Sequence, residues 1–221
     1  MRVAVLGGGL QGACVALELS ARGVAVDLFE AQERCLTRAS AQNEGKIHLG
    51  YVYANDASLS TARTMVRGGL SFASLLRRWL GDAIDSVPVS RPFNYVVHRS
   101  SLLEPDRVEA HLLACRELAL EAAGGRAIDY FGADPLAAPV QMGGREARSL
   151  YTENVSAVFR TSEVGIDPEA LATLVRARLD ADRSIRCRTG TRVRQVERAG
   201  AGLDVEFQNG AGPARERYDQ V

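Results

Sequence analysis

The distribution of apolar and polar positions at the start of the chain predicts a strand, a helix and a second strand. Residues 3–6 form a continuous apolar run, which is typical of a central parallel strand covered on both faces. Small and aliphatic residues over 13–22 predict a helix, and Gly23 ends it. A second apolar run predicts a strand over 24–30. The order of these elements indicates a βαβ unit.

Similar patterns continue along the rest of the chain. Apolar residues spaced by three or four predict a helix over 58–80, and Glu104 opens another that runs to 123. Asp167 is expected to cap a third helix, with Pro168 at its first position. Strands are expected over 93–98, 157–164, 185–189, 191–198 and 203–208, and from 215 onward.

In two stretches of the sequence the apolar residues show neither helical nor strand periodicity. Gly, Pro and Ala are frequent over 126–149, where only short strands are expected. Residues 31–56 are rich in Ala, Ser, Asn and Gly and predict a long loop. Because loops of this length inside a compact domain are usually functional, this one is a candidate for carrying chemistry.

Composition narrows the classes of protein that fit. Hydrophobic residues make up 46% of the chain, which is ordinary for a globular protein. Basic and acidic residues number 27 each, so no basic excess favours nucleic acid. The sequence has no apolar run of about 18 residues that would span a membrane. Its four cysteines are far apart and have no metal-ligand spacing, so we expect no metal site and a reducing, cytoplasmic location.

The turn between the first strand and the first helix has the sequence GGGLQG, which matches GxGxxG. Gly7 permits the tight turn, Gly9 lets the backbone approach a pyrophosphate, and Gly12 lets the helix pack closely on the strand. The free N–H groups at the start of the helix attract the phosphates. A structural turn is the alternative. The loop residues expected to contact a dinucleotide are Gly7, Gly9, Leu10, Gln11 and Gly12.

Glu30 lies 21 residues after Gly9, at the end of the second predicted strand. A carboxylate at this point is expected to accept hydrogen bonds from a ribose diol and to repel a 2′-phosphate, which disfavours NADP. Ala31, the next residue, is also expected to contact the cofactor. The strand and loop by themselves leave NAD and FAD open.

The polar, glycine-containing stretch after Glu30 favours FAD. A nicotinamide enzyme would normally proceed directly to a helix and a third parallel strand, whereas a flavin enzyme folds this segment along the pyrophosphate and the flavin edge. An NAD-dependent dehydrogenase is therefore the less favoured alternative. The residues of this stretch expected to contact the cofactor are Arg38, Ser40, Asn43, Gly45, Lys46 and Ile47.

Residues 40–53 carry the pattern SxxNxGxIHxGxxY, and the sequence here resembles the D-amino-acid-oxidase-like FAD oxidoreductases. Within them it looks most like the branch that contains L-2-hydroxyglutarate oxidase. Residues 161–168 and 191–196 are similar to further segments of the superfamily, and the last of these implies that Val193 contacts adenine. Glu44 and Lys46 depart from the branch, which usually has small or apolar residues there.

The resemblance implies a Rossmann-like FAD-binding domain with an inserted α+β substrate domain. The implied division is 1–80 for the first FAD-binding segment, 81–160 for the first part of the substrate domain, and 161–221 for the second FAD-binding segment. The C-terminal half of the family fold is absent, so a C-terminally truncated chain is expected. The alternative to an enzyme is then an FAD-binding fragment or accessory subunit without catalytic competence.

The implied reaction is hydride transfer from a C–H bond beside a hydroxyl or amino group of a small substrate to the flavin. His48 is the candidate for taking the substrate proton, and orienting the loop is its alternative role. Lys46 is the candidate for placing positive charge near the flavin or a substrate carboxylate, and a solvated side chain is its alternative. Arg91 and Arg160 are weaker candidates for binding that carboxylate. A homo-oligomer is an expected assembly.

Overall fold

The structure is a computed structural model that describes residues 1–221. It contains five α-helices, which are α1 (Leu10–Ala21), α2 (Ser60–Leu80), α3 (Pro105–Ala123), α4 (Gly144–Leu150) and α5 (Pro168–Asp180). The strands are β1 (Arg2–Leu6), β2 (Ala25–Phe29), β3 (Lys46–Ile47), β4 (Val89–Ser90), β5 (Phe93–His98), β6 (Val140–Gln141), β7 (Val155–Thr161), β8 (Val164–Ile166), β9 (Ile185–Arg188), β10 (Arg192–Ala199), β11 (Gly202–Asn209) and β12 (Gly212–Tyr218). None of the helices combines the length and apolar character needed to cross a membrane.

The chain divides into two compact units. The first comprises Met1–Glu44, Arg78–Ser86 and Asp167–Val221. The second comprises Gly45–Arg77 and Val87–Ile166. The boundaries predicted at residues 80 and 160 separate two FAD-binding segments from a substrate domain. This functional division stays a prediction.

The first unit is built on a parallel sheet. Strand β2 lies in the middle, pairing in parallel with β1 on one side and β9 on the other. Helix α1 connects β1 to β2, so the predicted βαβ unit is confirmed. Strands β10, β11 and β12 form a separate antiparallel sheet, whose Val205, Phe207 and Tyr218 pack with Ala4 and Phe29 of the parallel sheet in one buried cluster.

A buried carboxylate ties the strands of the first unit together. Asp27 on β2 is 4% exposed, and the Arg186 guanidinium donates to both of its oxygens at 2.8 and 2.7 Å. Tyr218 and Arg2 also donate to Asp27. Burial alone would raise the pKa of this carboxyl, but the hydrogen bonds from Arg186, Tyr218 and Arg2 outweigh it and lower the pKa from 3.8 to about 2.

This network predicts an acid-sensitive contribution to stability. Because the folded pKa of Asp27 lies below its ordinary value, its contribution is complete above about pH 4 and is lost as the pH falls towards 2. The lowered pKa corresponds to roughly 2 kcal/mol. Denaturant unfolding followed between pH 5 and pH 2 is expected to show this loss in the wild type and to lack it in Asp27→Asn. An equal loss of unfolding free energy between pH 5 and pH 2 in the two proteins would contradict the assignment of this loss to Asp27.

The second unit contains two small antiparallel sheets. Strand β8 lies between β3 and β4, and β7 lies between β5 and β6. The single strand predicted over 157–164 is wrong, because the chain breaks at Ser162 and Glu163 into β7 and β8. Residues 144–150 were expected to contain no helix and form α4 instead.

The third predicted helix is confirmed as α5, which begins in the first unit at Pro168. The Asp167 carboxylate accepts hydrogen bonds from the backbone N–H groups of Glu169 and Ala170 at 2.9 and 3.0 Å. These contacts satisfy two donors that the first turn of a helix leaves without partners. Asp167 is therefore a helix cap.

Candidate functional site

The glycine turn of the first unit has the geometry that its sequence predicts. Gly7 has a φ of +101°, which favours glycine. Gly9 is the N-cap of α1 and has extended backbone, so the N-cap residue itself offers no side chain to the helix, and no acidic residue lies in its first turn. A Cβ on Gly12 would lie 1.9 Å from the backbone oxygen of Gly7. The glycines thus bring an open helix N-terminus close against the end of β1.

Two of the predicted polar residues lie against this turn. The Ser40 hydroxyl accepts a hydrogen bond from the Leu10 N–H at 2.9 Å, and a Cβ on Gly9 would lie 3.3 Å from it. The Glu30 carboxylate accepts from the Gly8 N–H and the Gln32 N–H, each at 2.8 Å. A carboxylate has about four lone-pair sites, so these two bonds leave Glu30 able to accept from a ribose hydroxyl.

The remaining predicted cofactor residues of the first unit lie at its loops and sheets. Ala31 and Arg38 are exposed, and the Asn43 amide donates to the Ala39 carbonyl at 2.7 Å. Arg38 and Asn43 flank Ser40 on the same turn. Val193 lies on β10, where it packs against the buried aromatic cluster. The helix N-terminus, the small residues and the carboxylate are a donor and acceptor set that fits the ADP part of a dinucleotide.

The second unit holds a buried carboxylate that the residue pattern had not singled out. Glu163 is fully buried between β7 and β8. Its Oε1 accepts from the Leu49 N–H at 2.6 Å, and its Oε2 accepts from the Tyr95 hydroxyl at 2.5 Å. The Lys46 Nζ lies 3.8 Å from Oε2, and the His48 Nδ1 lies 3.7 Å from Oε1. Glu163 therefore brings together the two residues predicted to be catalytic.

Lys46 is held by aromatic rings as well as by this carboxylate. Its Nζ lies 4.5 Å from the centre of the Phe93 ring and 4.9 Å from that of Tyr95, and its side chain is 18% exposed. An ammonium over the faces of two rings gains cation–π attraction. The side chain is therefore largely buried, and the solvated alternative is wrong, because the rings and the carboxylate replace water around the ammonium.

The tyrosines beside Glu163 stay protonated at neutral pH. Burial, and then the nearby Glu163 charge, raises the pKa of Tyr95 well above its usual range. Burial also raises the pKa of Tyr51 to about 12. Tyr95 is consequently a hydrogen-bond donor to Glu163 rather than a competing anion.

The backbone around His48 is positioned by a helix and by a tyrosine. A Cβ on Gly69 of α2 would lie 2.6 Å from the His48 carbonyl oxygen, so only glycine lets the helix come this close. The Tyr130 hydroxyl donates to the Ile47 carbonyl. Gly45 and Lys46 extend into the β3–β8 pairing, in which Lys46 is opposite Gly165. Both sides of the segment that carries Lys46 and His48 are therefore fixed.

A signal for Glu163 was present in the sequence. It is the one charged residue over 161–166 and falls within the strand expected over 157–164. A carboxylate is almost never fully buried without partners. An isolated acid inside an expected strand could therefore have predicted a buried polar cluster.

The second unit also contains a cavity of 530 Å³ beside Glu163. Arg91 and Arg160 both line it, although they are far apart in sequence. Nη1 of Arg91 donates to the Gly132 carbonyl at 2.5 Å, and Nη2 of Arg160 donates to Glu146 at 2.9 Å. A guanidinium has five N–H donors, so each arginine retains capacity for an anion.

Comparisons with known proteins give three similarities to this chain and one family. The FAD-dependent monooxygenase FPY4 of Fusarium mangiferae is 44% identical over 50 residues, which are 23% of this chain and 14% of that protein. The L-amino acid deaminase of Proteus myxofaciens, solved with anthranilate, has a TM-score of 0.61 at 19% identity. The L-α-glycerophosphate oxidase of Mycoplasma pneumoniae, solved with FAD bound, has a TM-score of 0.57 at 17% identity.

Each of these two structural matches covers 96% of this chain. The chain spans 42% of the length of the deaminase and 51% of that of the glycerophosphate oxidase. At these identities the likeness establishes the fold. The model of the family described as FAD dependent oxidoreductase (DAO) matches residues 2–219, nearly the whole chain. The chain therefore belongs to the DAO family of FAD-dependent oxidoreductases.

Proposed function

We propose that this chain contributes to an FAD-dependent oxidation of a CH–OH or CH–NH₂ group in a small, carboxylate-bearing substrate. FAD is the cofactor of the family to which the chain belongs. The observation that carries the proposal is the open N-terminus of α1 at the glycine turn, with the Glu30 carboxylate hydrogen-bonded to that turn. Bound FAD supplies the hydride-accepting chemistry, and the chain's own residues bind and orient the reactants.

Residues 1–80 and 161–221 are proposed to bind FAD, and residues 81–160 to belong to an inserted substrate domain. The N–H groups at the start of α1 would hold the pyrophosphate. Glu30 would accept from the ribose hydroxyls, and Val193 would contact adenine. The residues proposed to complete the cofactor site are Arg38, Ser40, Asn43 and Gly45.

Glu30→Ala is expected to weaken FAD binding by roughly 1–3 kcal/mol, because it removes charged hydrogen bonds. Since Glu30 also accepts from Gly8 and Gln32, Glu30→Gln is a second variant that preserves the side-chain shape. Glu33→Ala, which removes an equal charge from an exposed position three residues away, is the control. FAD affinity is measured by titrating apoprotein and following flavin fluorescence. An affinity unchanged in both Glu30 variants would contradict the ribose contact.

His48 and Lys46 are proposed to act on the substrate. The imidazole of His48 takes a proton from the substrate hydroxyl or amine as the C–H bond breaks. The ammonium of Lys46 stabilises negative charge that develops nearby. Glu163 orients both side chains, since its two oxygens lie 3.7 Å from His48 and 3.8 Å from Lys46.

A carboxylate-bearing substrate is supported by the cavity that Arg91 and Arg160 both line. Two guanidinium groups around one cavity favour an anion with planar oxygens. The SxxNxGxIHxGxxY stretch over 40–53 further favours a hydroxy acid of the L-2-hydroxyglutarate type. Lys46 departs from that branch, and its place beside Glu163 gives the site a charge that the branch lacks.

His48→Ala is expected to slow flavin reduction by about 10²- to 10⁴-fold, which is the usual contribution of a general base. FAD affinity should change much less. Stopped-flow reduction under anaerobic conditions gives the rate, and flavin titration gives the affinity. His98→Ala, at an exposed strand end, is the control. Equal reduction rates in His48→Ala and the wild type would leave His48 only the role of orienting its loop.

A second candidate is an FAD-binding fragment or accessory subunit without activity of its own. The chain spans 42% and 51% of the lengths of the two solved structures above. Absorption by bound flavin shows whether the chain takes up FAD. Reduction of that flavin by candidate hydroxy and amino acids shows whether the chain is active, which separates the two candidates. Bound flavin that no substrate reduces supports the accessory role, whereas failure to take up FAD contradicts both.

A further inference from the structure

Two cysteines distant in sequence meet in the first unit. Cys35 follows β2 on the loop that leads to Ser40, and Cys187 lies on β9. Both line one cavity of 290 Å³, together with Arg176 and Asp180. Both cysteines are reduced in the structure, and their pairing across this cavity shifts the pKa of each thiol. They therefore form a dithiol pair, which the even scatter of cysteines along the sequence had not indicated.

Cys35 lies directly behind the glycine turn. A Cβ on Gly8 would lie 2.6 Å from its sulfur, and the Leu36 N–H donates to the Gly8 carbonyl at 2.8 Å. The Arg176 guanidinium reaches the carbonyl of Leu36 at 3.3 Å from the opposite side. The backbone on both sides of Cys35 is thus held beside the cavity that Cys187 also lines.

The two sulfurs differ in reactivity. Cys187 is the more exposed of the two, and Cys35 is buried. Pairing with Cys35 lowers the pKa of Cys187, whereas the same pairing, together with burial, raises the pKa of Cys35. Because the thiolate is the species that attacks an oxidant, exposure and pKa both single out Cys187 as the candidate for the first step.

We propose that Cys187 and Cys35 are a peroxide-oxidised site that closes into a disulfide. The Cys187 thiolate attacks one oxygen of hydrogen peroxide, so the O–O bond breaks, hydroxide leaves and Cys187 becomes a sulfenic acid. The Cys35 sulfur then attacks the Cys187 sulfur, the S–O bond breaks and water leaves with the Cys35 proton. Peroxide is reduced by two electrons, the pair is oxidised by two electrons, and a dithiol reductant restores both thiols.

The test uses the full chain with hydrogen peroxide as the probe. After treatment, free thiols are alkylated and the protein is analysed by intact mass and by peptide mapping without reduction. Two of the four thiols are expected to be lost, in one cross-linked peptide containing Cys35 and Cys187, and dithiothreitol should restore them. Cys14 and Cys115 are expected to stay as free thiols and therefore to be alkylated. A cross-link between other cysteines, or oxidation without any cross-link, would overturn the proposal.

Two serine variants separate the order of the steps. Cys187→Ser should form no disulfide and trap little sulfenic acid, whereas Cys35→Ser should leave a sulfenic acid on Cys187 that a dimedone probe captures. Cys14→Ser, at a half-buried position on α1, should form the disulfide as the wild type does. The level of dimedone capture is then compared between the two variants. If Cys187→Ser traps as much sulfenic acid on Cys35 as Cys35→Ser traps on Cys187, the assigned order is contradicted. Because the mapping of the unmutated chain is decisive by itself, a variant that fails to fold leaves the test intact.

Discussion

Glu163→Ala is expected to lower the free energy of unfolding by about 3–5 kcal/mol, the scale for breaking a buried ion pair by removing one partner. The change leaves the Lys46 ammonium without its buried counter-charge. It also leaves the Leu49 N–H and the Tyr95 hydroxyl without the acceptor they share. Urea unfolding, followed by circular dichroism, measures the effect.

An exposed pair in the same unit provides the control. Glu146 and Arg160 form an ion pair in which both side chains are about half exposed, so Glu146→Ala is expected to cost less than about 1 kcal/mol. Adding Lys46→Met to Glu163→Gln should recover part of the loss seen in Glu163→Gln alone, because it removes the stranded charge. A loss in Glu163→Ala as small as that in Glu146→Ala would show that Glu163 does not hold the cluster together.

Gly12→Ala is expected to reduce stability by about 1–3 kcal/mol and to lower FAD affinity strongly. The added methyl would overlap the Gly7 carbonyl, which is backbone and cannot rotate away. Helix α1 must therefore move off β1, and the N–H groups at its start move with it. Unfolding in urea and titration with FAD report the two effects separately.

Gly68→Ala is the matched control, because Gly68 also lies inside a helix but has nothing within 4 Å of its added Cβ. Helix propensity alone favours alanine over glycine by about 0.8–1 kcal/mol at both positions. We expect Gly68→Ala to be stabilised and Gly12→Ala to be destabilised, so the difference isolates the close packing. If both were stabilised, the close approach of α1 to β1 would be wrong.

The βαβ part of the first unit could be predicted from local patterns because its key contacts are short in sequence. The apolar run at 3–6, the glycines and Glu30 belong to one βαβ unit, whose geometry is fixed within about thirty residues. Asp167 likewise caps a helix two residues away. In each case the physical cause and its effect lie on the same stretch of chain.

The second unit was predicted less well, because its site depends on distant pairings. Lys46 and His48 were identified by residue type, but nothing near them in sequence indicates that Glu163 is their partner. The break between β7 and β8 was also missed, since it reflects the pairing of the two strands with different distant partners. The thiol pair of the first unit escaped notice for the same reason, as Cys187 on β9 reaches the cavity that Cys35 lines only in the folded unit.

The pairing of β3 with β8 sets an order on how the chain acquires its structure. Leu49 and Glu163 are 114 residues apart, so the segment from Lys46 to Leu49 has its partners only after most of the second unit has been synthesised. Contacts of such long sequence separation form slowly, because the intervening chain must first be closed into a loop. During translation, Lys46 and His48 therefore lack their contacts with Glu163 until the residues of β8 have been added.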